Sequence, residues 1–170
     1  MKVCFIDNCV EDPRIKKPFL VQITGSEKYA LRRYEDNQQI ISALKECCRV
    51  ETYNALSEAV DKIQQMDFYG LIITNCPPSG YRAELTAFEI AAIDKEERKQ
   101  ITEEDYEHSL NCIKKLHEKF GLTNIIAYTG APKMIHSKLL EAGASSVIMR
   151  GSYDDDRLKK NIEQMIRSIG

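Results

Sequence analysis

Four widely separated residues could act on one ligand: Asp7, Asn75, Thr129 and Arg150. Each closes a short apolar run: Phe5-Ile6-Asp7, Ile73-Thr74-Asn75, Tyr128-Thr129 and Met149-Arg150. A carboxylate can bind a cation or move a proton, while a hydroxyl and a guanidinium can hold an anion. An amide is neutral and a poor nucleophile. If the four runs are parallel strands, the four residues share the C-terminal edge of one sheet. Ligands of α/β proteins bind at that edge.

The elements that would carry them follow from hydrophobic periodicity. Lys2–Asp7, Arg49–Tyr53, Tyr69–Thr74, Asn124–Thr129 and Ser146–Met149 read as strands. Tyr69–Thr74 is continuously apolar, as expected of a strand covered on both faces. Between the strands lie helical stripes. Ile40, Ile41, Leu44, Cys47 and Cys48 form the first, opened by a capping box with Asp36 at the N-cap and Gln39 at N3. Leu56, Ala59, Val60 and Ile63 form the second, with Asn54 as its cap. Leu110, Ile113, Leu116 and Phe120 form the third, entered through a Thr102/Asp105 box and stopped at Gly121. The fourth starts near Pro132 and ends at Ala142-Gly143-Ala144. The fifth carries Leu158, Ile162, Met165, Ile166 and Ile169 behind a Ser152/Asp155 cap. Five strand-helix units imply one domain over residues 1–170, a three-layer α/β/α sandwich on a five-stranded parallel, flavodoxin-like sheet.

Two stretches exceed this pattern, about 9–35 and about 77–101. The first contains Phe19–Ile23 and the turn-like Thr24-Gly25-Ser26, and reads as a β-hairpin, with an early helix as second choice. Its basic residues Arg14, Lys16, Lys17, Lys28, Arg32 and Arg33 read as a solvated face, or as a docking patch for an acidic partner or a phosphate. The second has Leu85, Phe88, Ala91 and Ala92 at helical spacing. Both would stand over the edge that bears the four residues.

Composition narrows the function. The chain has 170 residues, 43% hydrophobic, and a net charge of −2, so no basic field draws it to nucleic acid. No run approaches membrane-spanning length and the N-terminus does not read as a signal peptide, which points to the cytoplasm. Six cysteines without a Cys-x-x-Cys pattern read as reduced core residues. Cys76, next to Asn75, is the candidate for a reactive thiol. His108, His117 and His136 lack metal-ligand spacing, and Asp154-Asp155-Asp156 suits a helix N-terminus.

On these strand ends the chain resembles the receiver domain of two-component response regulators. The family carries two metal-binding acids after strand one and a phosphoryl-accepting aspartate after strand three. A Thr or Ser closes its strand four, and Lys-Pro follows its strand five. Here Asp7 keeps one acid and Asn8 replaces the second. Asn75 stands at the acceptor position, Thr129 matches, Arg150 keeps the cation and Gly151 replaces the proline. Val147 takes the place of the family's aromatic switch residue. The resemblance implies the fold and leaves Asp7 as the remaining metal candidate. Two of three carboxylates are lost as amides, so magnesium affinity should fall sharply and no cofactor is expected. An amide at position 75 cannot accept a phosphoryl group as a carboxylate does.

The pattern therefore reads as a pseudo-receiver, a stand-alone signalling domain that works through a protein partner, a second copy of the chain included. Its contact surface would be the insertions or the face of the fourth helix, fifth strand and fifth helix. Arg150 is expected to pair with Asp7 in place of the lost metal. The alternative is a small flavodoxin-like enzyme, or an anion or nucleotide sensor, using Asp7 and Arg150 under loop lids. Asp12, Glu84 or Glu89 would supply its second carboxylate.

Overall fold

A computed structural model describes residues 1–7, 9–12, 27–63, 69–77, 102–121, 123–150 and 154–170, with residues 27–30 described by backbone alone. Five parallel strands form one sheet: β1 (Lys2–Ile6), β2 (Arg49–Tyr53), β3 (Leu71–Thr74), β4 (Asn124–Thr129) and β5 (Ser146–Met149). Their spatial order is β2-β1-β3-β4-β5. The order reverses between β1 and β3, so the crevice beyond their C-terminal ends is the topological switch point of the sheet.

Strand alternation divides the core into two layers. Cys4 and Ile6 of β1, Ile72 of β3, and Ile125 and Ala127 of β4 face α2 (Leu56–Lys62), α3 (Glu107–Phe120) and α4 (Lys133–Glu141). Val3, Phe5, Leu71, Ile73, Ile126 and Tyr128 face α1 (Glu27–Lys45) and α5 (Asp155–Arg167). Both faces are covered, which is why these strands read as apolar runs rather than as alternating ones. Each fully buried Ile or Leu contributes roughly 1.5–3 kcal/mol relative to exposure.

Helix ends obey local chemistry. Thr102 and Asp105 form the expected capping box, at a 3-10 turn (Glu103–Tyr106) that leads into α3. Gly121 closes α3 with φ 49°. At the end of α4, the Ala144 N–H donates to Leu139 O and the Gly143 N–H to Leu140 O, both at 3.0 Å. These two bonds make a Schellman motif, whose position after the C-cap is Gly143 at φ 113°.

Three expectations are corrected. The first helix does not begin at the Asp36 box. It starts at Glu27, inside the stretch read as a hairpin, so residues 28–34 are helical and not strand. Phe19–Ile23 lie outside the described residues, as does the second insertion from 78 to 101. Asn54 does not cap α2: the N-cap is Ala55, and the Asn54 side chain donates to Glu11 Oε1 instead. The last helix is capped by Asp154, whose carboxylate accepts the Arg157 N–H at 3.1 Å; Ser152 lies outside the described residues.

The reason for the first error is visible in α1. Its buried positions are Arg33, Asp36, Asn37, Ile40, Ile41 and Leu44, one continuous helical face. The C-terminal half of that face is apolar and packs on the sheet. The N-terminal half is polar because it reaches past the strand ends to the switch point, so an apolar-periodicity argument loses the helix there.

Candidate functional site at the switch point

Backbone bonds join the strand ends into one rim. The Asp7 N–H donates to Tyr53 O (3.0 Å), Asn75 N–H to Ile6 O (2.9 Å) and Arg150 N–H to Thr129 O (3.0 Å). The Thr129 hydroxyl donates across to Cys76 O at 3.3 Å. Asp7, Asn75, Thr129 and Arg150 therefore share one edge, as expected, but they do not converge on one point.

Asp7 is the buried centre of charge, and its side chain is fully inaccessible. Arg33 Nη2 donates to both carboxylate oxygens at 3.0 Å, and Arg150 Nη2 to Oδ2 at 2.5 Å. The Cys9 N–H donates to Oδ1 at 2.8 Å. Burial pushes this carboxyl up, but Arg150, Arg33 and the Cys9 N–H together outweigh it and hold the pKa at about 2. The pairing of Asp7 with Arg150 is as expected from the sequence. The second guanidinium is not: Arg33, read as part of a solvated basic face, is almost fully buried against Asp7. Apolar periodicity does not reveal it, because the face of α1 that carries Arg33 is polar at its N-terminal half.

The surroundings hold both arginines in position. The Arg150 guanidinium stacks on the Tyr128 ring at 4.3 Å. Asn161 of α5 fixes the end of β5 by donating to Met149 O at 3.3 Å. Arg32, one residue before Arg33, pairs with Asp36 at 2.9 Å and with Asp155 at the start of α5. An ion-pair ladder thus links α1 to α5 above the sheet.

The other candidates have settled roles. The Thr129 hydroxyl also accepts the Ala131 N–H at 3.1 Å, so it ties the β4–α4 connection to the segment after β3. It does not cap α4, whose N-cap is Pro132. The Cys76 thiol is buried, and burial pushes its pKa well up, so it is not a ready thiolate. His117 is exposed and packs beside Gly143. Asn8, Glu84 and Glu89 lie outside the described residues. Val147 is half-buried and packs against the core.

A divalent cation, as the receiver resemblance implies, does not fit the residues in place. Asp7 already faces two guanidinium groups within hydrogen-bonding distance, and a third cation would have to displace one of them. Asn75 adds no charge. Among the described residues, no group of three or more His, Cys, Asp or Glu could hold a metal. No helix among them is long and apolar enough to cross a membrane.

No protein-family model matches the sequence. No curated protein matches it. Solved structures do. A two-component response regulator from Clostridium difficile superposes with a TM-score of 0.53 at 13% identity, over 98% of this chain and 96% of that one. An orphan response regulator of H. pylori gives 0.52 at 9% identity, over 100% and 97%. A CheY-like response regulator receiver domain from Methanospirillum hungatei gives 0.50 at 17% identity, over 98% and 94%. At such identities the likeness speaks to architecture, and with the strand order and the rim described above it gives this chain the fold of a response-regulator receiver domain.

Proposed function

We propose that this chain is a pseudo-receiver: a signalling domain that acts through protein contacts and does not take a phosphoryl group at the end of β3. The observation that carries this reading is Asp7 held between Arg33 and Arg150. Phosphoryl transfer to a side chain needs an anionic nucleophile and a cation to neutralise incoming charge. Asn75 lacks the charge for the first role. Asp7 is committed to two protein cations, which stand where a metal would have to stand. A carboxyl held at about pH 2 is also a weak proton acceptor at neutral pH, which argues against general-base catalysis.

The contact surface we assign is the face of α4, β5 and α5. Among the described residues, four large hydrophobic side chains are exposed: Met1, Met134, Leu140 and Ile166. Three of these lie on α4 and α5, and β5 is an edge strand of the sheet. Exposed apolar side chains on an unpaired edge favour a protein partner.

Incubation with acetyl phosphate and magnesium, followed by intact-mass measurement, tests the reading. The mass should not change. A phosphoryl adduct that survives denaturation and maps to the rim would overturn it.

A further inference from the structure

A second feature opens on the same rim and does not depend on that reading. Between the ends of β1, β2 and β3 and the start of α3 lies a cleft lined by Asn54, Leu56, Ser57, Asn75, Pro77 and His108 among others. Asn75 is 7% exposed, and its backbone N–H is bonded to Ile6 O. Its side-chain amide has no partner among the described residues. Opposite it, Asn54 donates through Nδ2 to Glu11, while its Oδ1 is buried and has no hydrogen-bond partner. Two amides, from the strand ends on either side of β1, thus line one cleft with hydrogen-bonding capacity to spare.

A buried amide oxygen without a partner, as at Asn54, is costly, and a native fold retains one where something else satisfies it. The charge of the cleft narrows what that is. Among the described residues, no Lys or Arg lines it. Asp7, the one carboxylate among those described residues, is engaged by Arg33, Arg150 and the Cys9 N–H. Among these residues, no permanently charged side chain is left uncommitted for an anion or a cation. What remains are amide donors and acceptors, the His108 imidazole, two serine hydroxyls of which Ser109 already donates to Pro77 O, and apolar walls from Leu56 and Pro77. An asparagine amide offers a donor beside an acceptor, and its best complement is a planar edge with the reverse pair. Carboxamides and the nucleobase edge of adenine both carry such an edge.

We infer that this cleft binds a small neutral ligand through a donor–acceptor edge, with Asn75 and Asn54 as the recognising residues. The position where the receiver resemblance places a phosphoryl acceptor thus becomes a neutral recognition site.

The test is a protein-observed NMR titration of the full chain. Nicotinamide is the carboxamide probe and adenine the nucleobase probe; benzoate and inorganic phosphate are the charged controls. Saturable shifts of the Asn54 and Asn75 side-chain NH2 resonances are expected with at least one neutral probe and not with the controls. Nicotinamide alone, adenine alone, or both would identify the source of the edge, and each supports the site. Asn75→Leu, close in volume, should abolish the shifts while the α5 resonances stay in place. Asn54→Leu serves as the second variant if the first does not fold. Absence of saturable shifts with both neutral probes would overturn the inference. So would equal shifts from benzoate or phosphate, or shifts that survive both substitutions.

Discussion

Asp7 shows how far one side chain can change what a rim of residues does. A lone buried carboxylate would shed its charge or recruit a cation. Here the sequence supplies two cations of its own, one from a strand end and one from a helix. The strand-end partner, Arg150, could be read from the sequence because strand alternation fixes where a strand stops, and two strand stops share an edge. Arg33 could not, because nothing in an isolated run of basic residues says which one turns inward. The same reasoning predicts the behaviour of Asn75→Asp. A carboxylate restored at that position alone should not accept a phosphoryl group, since Asp7 stays paired with both arginines. Intact mass after acetyl phosphate and magnesium should be unchanged. Adding Arg33→Ala releases Asp7 from one of its cations, and only that double variant is expected to gain an adduct. An adduct on the single variant would show that the two arginines do not block the site.

At the scale of elements, the strands were legible and some helix starts were not. β2, β4 and β5 match their expected spans residue for residue, because their β-branched runs sit between clear turn signals. The start of α1 was hidden, since its face changes from apolar at Ile40, Ile41 and Leu44 to polar at Arg33, Asp36 and Asn37. The change marks where the helix stops serving the core and begins to serve the site. The end of α4 was legible for the opposite reason: Ala142-Gly143-Ala144 has one local solution. Gly143 sits at φ 113°, and a Cβ there would also lie 2.4 Å from the His117 ring. Gly143→Ala therefore meets backbone strain and a clash with α3 together. Strain of this kind costs about 1–3 kcal/mol. Urea unfolding should show a loss in that range. Adding His117→Ala should recover little of it, because the Cβ that alanine keeps at 117 still lies 2.5 Å away and φ is unchanged.

In the molecule as a whole, Asp7 ties together pieces that are far apart in the chain. Arg33 lies 26 residues away and Arg150 lies 143 residues away, so one carboxylate joins β1, α1 and the end of β5. Global stability should then depend on its charge. The folded pKa is depressed to about 2 from 3.8. Between those values the unfolded chain binds the proton and the folded chain does not, so stability rises with pH. The contribution is fully present above about pH 4 and is lost as pH falls through about 2, and a shift of this size corresponds to roughly 2 kcal/mol. Other carboxylates titrate in the same window, so the useful quantity is the difference between wild type and Asp7→Asn. The variant should be less stable at neutral pH by about 3–5 kcal/mol, because two buried guanidinium groups lose their counter-charge. The gap should narrow as pH falls from 4 to 2, since acid brings the wild type to the same uncharged state. A gap that stays constant across that window would mean that Asp7 is not the group linking the acid sensitivity of the fold to its rim. The carboxyl carbon of Asp7, followed by NMR in the folded protein, supplies the direct check, with its titration midpoint expected well below that of an ordinary aspartate.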